Sequence, residues 1–348
     1  MALANPPTYT HEHTNTHTYS TVHRRQLCCE TLWGKQECSR LLQYESLYQN
    51  FVRTVIILST LSTVPACVFL VINGIMLFTL RSKPVFRETC RFVLLFNLLL
   101  ADTLQLAQSQ LHLLFSACRV QLAYSICIAL NMIVNLTTGI SPLTLVLMPL
   151  ERYVAVCYPL RHASIITIRN TAAAVIAVWA VSSLNNLTRV LMFLKFPFEK
   201  IKPTDVCANV SVMLAPLTAD YDRAYTCVVF VSAGVAVTSS YVGVIVAARS
   251  ASTDKALARK AQHTLLLHLV QLGLSLSSTI NNPVIVALSK VLTRMAFLWI
   301  QGIFYIFFII FPRCMTSLIY GLRDQTIRPV LMYHLSCHFK VSVGGLKK

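Results

Sequence analysis

The stretch LVLMPLERYVAVC, residues 145–157, decides the fold because a long apolar run ends there in a pair of opposite charges. The run begins near residue 124 and carries no charged side chain before Glu151 and Arg152. A bilayer core about 30 Å thick requires roughly 20 apolar residues in a helix. We therefore predict that residues 124–157 cross a membrane, with Glu151-Arg152-Tyr153 at one membrane surface.

Other apolar stretches of similar length lie on both sides of this one. Together with 124–157 they predict seven spans, at residues 52–80, 89–115, 124–157, 171–194, 224–248, 258–281 and 295–320. The sixth is the weakest, since His263, His268 and Gln271 interrupt it. The predicted fold class is an all-α membrane protein with a seven-transmembrane helix bundle.

Three segments follow from these spans. Residues 1–50 are expected to be an extracellular and largely disordered segment, because they are polar and rich in His and Thr. Residues 51–322 form the transmembrane domain. Residues 323–348 are expected to form a short amphipathic cytoplasmic helix and tail, with Ile327, Val330, Leu331 and Leu335 towards lipid and Arg328 towards water.

The composition agrees with a membrane protein and sets its orientation. Of the 348 residues 55% are hydrophobic and 12% are charged, and the net charge is +17. The basic residues concentrate in the connections near 81–91, 152–169 and 249–260 and in the C-terminal tail, which is how short cytoplasmic segments are marked. We therefore expect a plasma-membrane protein with its N-terminus outside and its C-terminus inside, and no nucleic-acid partner.

Polar residues within the spans are candidates for function because a charge in the membrane is costly. Asp102 lies in the middle of the second span, and Asn73 and Ser141 lie at comparable depth in the first and third. One interpretation is a buried polar cluster that holds a cation or a proton. The other is a hydrogen-bond network that only joins the helices.

Arg152 also has two interpretations. Opposite charges at a helix end are often solvated surface. However, the preceding helix is long and apolar, so Arg152 stands at the membrane edge, where a latch between two states is plausible.

Cys127 is predicted at the outer surface because it lies 25 residues before Arg152, about 37 Å along a helix. Cys207 in the following outer loop is its favoured disulfide partner, and Cys118 is the competing one. The sequence Asn209-Val210-Ser211 predicts a glycan on Asn209. In the tail, Cys337 is a palmitoylation candidate, with a free thiol as the alternative.

Residues 148–162, MPLERYVAVCYPLRH, resemble the olfactory-receptor signature M-A-Y-D-R-Y-V-A-I-C-x-P-L-x-Y of rhodopsin-like (class A) G-protein-coupled receptors. The resemblance extends over about residues 50–335. Its landmarks are Asn73, Asp102, Trp179, Ser240-Tyr241 and the segment SLIYGLRD at 317–324. Residues 265–274 resemble the divergent fish-type odorant receptors.

This resemblance implies a receptor that binds a small odorant and activates a heterotrimeric G protein of the stimulatory, olfactory type. It implies an activation switch of Glu151, Arg152, Tyr153, Tyr241 and Tyr320. It also adds Thr316 to the buried cluster of Asn73, Asp102 and Ser141, for which sodium is the candidate ion. No other cofactor is expected.

Three departures from the family pattern bear on activation. Pro149-Leu150-Glu151 replaces the usual Ala-Tyr-Asp, and a proline inside a helix removes a backbone donor. Thr316-Ser317 replaces Asn-Pro, with Pro312 one turn earlier as a substitute. The sixth span lacks Cys-Trp-x-Pro, as odorant receptors commonly do.

The outer half of the third span carries no carboxylate, which disfavours a biogenic amine as ligand. We expect a mostly apolar pocket with a few hydrogen-bonding groups. Its candidate residues are Asn131, Val134, Asn135, Thr138, Tyr225, His268 and Gln271.

Other protein classes fit less well. A transporter is the main rival, yet no internal repeat joins the two halves. A non-olfactory class A receptor for a small non-amine ligand or a peptide is the nearer alternative. An enzyme is disfavoured because the spans show neither HExxH nor GxSxG nor paired carboxylates.

Overall fold

The computed structural model describes most of the chain as helix. The described residues are 35–118, 120, 122–194, 207–250, 266–267, 269–277, 284–285, 287–288, 291–323, 327–329 and 331–333. Within them the long helices are α1 (Lys35–Ser82), α2 (Cys90–Ala117), α3 (Tyr124–Cys157), α4 (Ile168–Phe193) and α5 (Cys207–Ser250). We label the helical residues 266–267 and 269–277 α6. The last helix, α7, consists of Arg294–Phe304, a π-helical segment Tyr305–Ile310, and Phe311–Arg323.

Six helices in the described part are long and apolar enough to cross a membrane. They contain Gln43–Ser82, Cys90–Phe115, Ser125–Cys157, Ile168–Phe193, Thr218–Ala247 and Met295–Gly321. Each coincides with a predicted span. The sixth predicted span, 258–281, is described only at 266–267 and 269–277, and these residues are helical.

Two helices extend beyond the predicted spans. Residues 35–50, expected within the disordered segment, are helical, and α5 begins at Cys207 rather than near residue 224. The helices are longer than the predicted spans because hydropathy marks only the part of a helix that lies in the membrane. The helix itself continues as long as each added residue gains a backbone hydrogen bond.

Pro149 does not end α3, which continues to Cys157. Pro142 lies within the same helix, and Pro65 lies within α1. Prolines are tolerated in membrane helices because neighbouring helices and side chains satisfy the carbonyl groups that lose their partners.

The chain divides into two units, Met1–Ile57 and Leu58–Lys348, and the sites described below lie in the second. Within it α2 is the most enclosed helix, with 56% of its apolar window buried, against at most 33% in the other spans. Leu95, Leu98 and Leu99 on α2 are fully buried. The other helices present large apolar side chains outwards, among them Ile176 on α4 and Val231 on α5. An exposed apolar surface of this kind fits contact with lipid.

The expectation that Ile327 and Leu331 face lipid is wrong. Both are buried, at 0% and 3% exposure, in the same apolar cluster as Met76 and Tyr320. The helices approach closely here, since a Cβ atom on Gly321 would lie 2.6 Å from Cδ2 of Leu331. Packing against the bundle removes these side chains from water more completely than a membrane surface would. Arg328 is exposed, as expected, whereas Val330 and Leu335 lie outside the described residues.

Candidate functional site

The C-terminal end of α3, which is expected at the cytoplasmic side, contains an ion pair between neighbouring residues. Nε of Arg152 lies 3.3 Å from Oε2 of Glu151, and the two side chains are 27% and 10% exposed. Nε2 of His162, in the short helix Pro159–Ile165, lies 3.8 Å from the other Glu151 oxygen. The carboxylate of Glu151 therefore faces a cation on one side and, when His162 is protonated, a second on the other.

This pair forms part of a cleft between helices. Its lining residues are Arg91 and Leu94 of α2, Met148, Glu151 and Arg152 of α3, and Tyr320 of α7. The Tyr320 hydroxyl donates to Sδ of Met148 at 3.3 Å. Three of the five predicted switch residues, Glu151, Arg152 and Tyr320, therefore meet at one place.

The other two predicted switch residues lie on the α3–α5 side. Tyr153 packs edge-on against Tyr158 with 6.0 Å between ring centroids. Its ring also approaches Gly243 of α5 so closely that any Cβ atom at that position would collide with it. Tyr241 is half-buried on α5. Tyr153 thus contributes to helix packing rather than to the cleft.

Deeper in the bundle, Asp102 is the centre of a buried hydrogen-bond network. Its Oδ1 accepts from the Ser141 hydroxyl at 2.7 Å, and its Oδ2 accepts from the Thr316 hydroxyl at 2.6 Å. The Thr316 hydroxyl in turn accepts from Nε2 of Gln271 at 2.6 Å. All four residues are at most 4% exposed. The network therefore joins α2, α3, α6 and α7.

The hydrogen bonding of Asn73 and Gln271 differs from what the sequence suggested. Asn73 is fully buried, but neither of its amide atoms has a hydrogen-bond partner among the described residues. Gln271, a candidate pocket residue, is 1% exposed and belongs to the Asp102 network. The other pocket candidate on this span, His268, lies outside the described residues.

Sequence reasoning missed Arg313, which like Asp102 is a buried charged residue. It lies on α7 and is 2% exposed. Its Nε donates to Oε1 of Gln105 at 3.1 Å, and its Nη1 donates to the carbonyl oxygen of Phe308 at 3.1 Å. Nε2 of Gln105 donates to the Thr138 hydroxyl at 2.7 Å. An arginine within the apolar run 295–320 was the signal available in the sequence.

A second missed group lies in the outer half of the bundle. Nη2 of Arg189 on α4 lies 3.0 Å from Oδ1 of Asp222 on α5, and its Nη1 donates to Oδ1 of Asn135 on α3 at 3.4 Å. Oδ2 of Asp222 accepts from the Thr218 hydroxyl at 2.9 Å. The ion pair therefore joins α4 to α5, and the hydrogen bond to Asn135 joins α4 to α3.

Among the remaining pocket candidates, Tyr225 interacts with this ion pair, and Asn131 and Val134 make contacts within α3. Tyr225 interacts electrostatically with Arg189, and its buried hydroxyl has no partner among the described residues. Nδ2 of Asn131 donates to the Cys127 carbonyl oxygen of its own helix at 3.0 Å. Val134 accepts, through its backbone, hydrogen bonds from Thr137 and Thr138.

Comparison with known proteins explains this arrangement. The family model of the 7 transmembrane receptor (rhodopsin family) matches residues 73–315. The chain belongs to the rhodopsin family of seven-transmembrane receptors. It is 34% identical to Odorant receptor 131-2 of Danio rerio over 272 residues. These residues cover 78% of this chain and 83% of that protein. Shorter similarities include Olfactory receptor 52N2 of Homo sapiens, 45% identical over 47 residues, which cover 14% of this chain and 15% of that protein.

These relatives place the receptor in the odorant branch of the family and confirm the seven-helix bundle, in which α6 is the sixth span. The family is one of receptors and not of enzymes. The relative from a fish over most of the chain agrees with the resemblance noted in residues 265–274.

The receptor has a disulfide near the N-terminal end of α3. Cys127 is fully buried and disulfide-bonded. Cys118 is free, so it is not the partner. Cys207 is the first residue of α5, and its side chain lies outside the described residues, so the Cys127–Cys207 pairing stays a prediction. The side chain of Asn209, near the start of α5, and Cys337 also lie outside the described residues.

Proposed function

We propose that this chain is a chemosensory receptor that binds a small odorant between the outer halves of α3, α4 and α5. It then activates a heterotrimeric G protein, of the stimulatory type, at the cleft around Arg152. The main support is the similarity over most of the chain to an odorant receptor. The Glu151–Arg152 pair at the end of α3 supplies a group through which the inner face can respond.

The outer ion pair suggests which chemical group the ligand carries. Arg189 and Asp222 neutralise each other, so the site does not select for net charge. Two buried donors, Nε of Arg189 and the Tyr225 hydroxyl, have no acceptor among the described residues. A buried donor without an acceptor is costly, and a ligand that provides one is favoured. We therefore propose a small, mostly apolar ligand with a carbonyl, ether or carboxylate oxygen.

Replacement of Tyr225 by Phe tests this site. The change removes one hydroxyl that bonds to no described protein group, so surface expression should stay normal. Loss of one ligand hydrogen bond of about 1–1.5 kcal/mol should raise the half-maximal concentration of an oxygen-bearing agonist roughly tenfold. The measurement is the cyclic AMP response of transfected cells to a ligand panel that pairs each ketone or ester with its hydrocarbon analogue.

The matched control is Tyr333→Phe, which removes the hydroxyl of an exposed tyrosine after α7. This variant should respond as the wild type does. Equal potency of every agonist on wild type and Tyr225→Phe would place the ligand elsewhere in the bundle.

The proposed orientation has a separate test. A tag before Met1 should bind antibody on intact cells, whereas a tag after Lys348 should bind only after permeabilisation. The reason is the concentration of Lys and Arg in the connections expected at the cytoplasmic side. Equal accessibility of both tags on intact cells would contradict this topology.

A further inference from the structure

We propose that Arg313 is the built-in countercharge of Asp102, so that this receptor carries in its own chain the positive charge that a bound sodium ion would supply. The sequence suggested sodium as the occupant of the cluster around Asp102. This countercharge is independent of odorant binding, so no odorant is needed to test it.

Three charged residues in the described part of the chain are buried: Asp102, Glu151 and Arg313. Glu151 lies at the cytoplasmic end and is paired there with Arg152. Asp102 and Arg313 remain, and their charges interact. A buried charge is tolerated when an opposite charge and good hydrogen bonds accompany it. These two residues satisfy that requirement for each other.

The hydrogen bonds around the pair hold it in place without neutralising it. The carboxylate of Asp102 accepts from two hydroxyls, those of Ser141 and Thr316. The guanidinium of Arg313 donates to the Gln105 amide and to the Phe308 carbonyl, both of which are neutral acceptors. Arg313 and Thr316 are three residues apart and therefore lie on the same face of α7. Both point their polar groups towards α2.

The same contacts fit a sodium ion poorly. A hard cation needs several oxygen ligands and a surplus of negative charge. Both Asp102 oxygens already accept hydrogen bonds, and the Thr316 oxygen accepts from Gln271 while its hydrogen is donated to Asp102. A fixed guanidinium whose charge interacts with the carboxylate would also repel a second cation. The amide oxygen of Asn73 is buried and has no hydrogen-bond partner among the described residues.

A tethered cation behaves differently from a bound one. A sodium ion leaves and returns with its concentration outside the cell, whereas Arg313 is always present. The stability of the resting receptor should therefore be independent of sodium. The hydrogen bonds from Gln271 of α6 through Thr316 to Asp102 therefore experience the charge of Arg313 at every sodium concentration.

The experiment compares thermal stability of the detergent-solubilised receptor in sodium chloride and in potassium chloride at equal ionic strength. Wild type should melt at the same temperature in both salts. Asp102→Asn and Arg313→Gln each leave one buried charge unpaired, so each should lower surface expression by about tenfold or more. The double variant, which removes both charges, should recover much of that loss because coupled residues are not additive.

Two further variants complete the test. Arg313→Lys keeps the charge, so it should be expressed and remain indifferent to sodium. Arg328→Gln removes one exposed arginine and should match wild type in expression and stability. Sodium-specific stabilisation of wild type, or losses that simply add in the double variant, would overturn the assignment of Arg313 as countercharge.

Discussion

Arg152→Ala should keep normal surface expression and lose the cyclic AMP response to every agonist. Arg152 is 27% exposed and lines the cleft, and its removal leaves the Glu151 carboxylate with His162, whose Nε2 lies 3.8 Å away. A switch requires an element with two arrangements that a ligand biases. The pair joins a partly exposed arginine to a buried carboxylate, so it is stronger than an exposed pair of roughly 0–1 kcal/mol and weaker than a fully buried one, and it can exchange for contacts with a G protein.

Glu151→Gln should act in the opposite direction. The amide keeps the shape of the carboxylate but no longer attracts Arg152 or a protonated His162. Releasing about 1 kcal/mol that holds the resting arrangement should raise the signal without ligand up to about fivefold. The measurement is basal cyclic AMP at matched surface levels.

Arg161→Ala is the matched control for both variants, because Arg161 is an exposed arginine in the adjacent short helix. Arg161→Ala should signal normally, because an exposed arginine of this kind is expected only to attract the membrane surface. Normal signalling by Arg152→Ala at equal surface levels would reduce Arg152 to such an anchor.

Replacement of Cys127 by Ser should abolish surface expression. A disulfide that closes a loop of about 80 residues contributes roughly 4–5 kcal/mol in the chain-entropy model, which is a large part of a typical folding free energy. If Cys207 is the partner, Cys207→Ser should have the same effect. The double variant should then be no worse than either single one, because both changes break one bond. Antibody labelling of a tag before Met1 measures the outcome.

Cys118→Ser is the matched control, since Cys118 is exposed and its thiol is free. It should reach the surface as wild type does. A normal Cys207→Ser receptor would assign the Cys127 bond to another cysteine outside the described residues.

The positions of the helices were predictable because membrane insertion depends on a property that hydropathy measures directly. The helix ends were less so, as α1 and α5 show, because their outer turns lie beyond the apolar segment. The burial of Ile327 and Leu331 could not be predicted from the sequence either. An amphipathic pattern states that one face avoids water, and it does not state whether lipid or protein covers that face.

The candidate sites were likewise predicted only in part. Asp102, Ser141 and Thr316 were grouped correctly in space because each stands out as a polar residue at similar depth. Arg313 was left out of the group, since it was read as part of an apolar run and not as an intramembrane charge. Arg189 and Asp222 were missed for another reason. They lie near the predicted ends of α4 and α5, where charged residues are ordinary, and only the packing of these helices brings them together.

The π-helical segment Tyr305–Ile310 has a consequence for the lengths that α7 tolerates. A π turn contains one residue more than an α turn, and each residue rotates an α-helix by about 100°. Deletion of one residue within this segment would therefore restore an ordinary α turn and leave Arg313, Thr316 and Tyr320 facing their partners, whereas a deletion in an α-helical part of α7 would rotate the residues on its two sides by about 100° relative to each other. The π-helical segment thus accommodates one extra residue. The two α-helical parts of α7 keep the relative rotation that directs these polar groups to their partners.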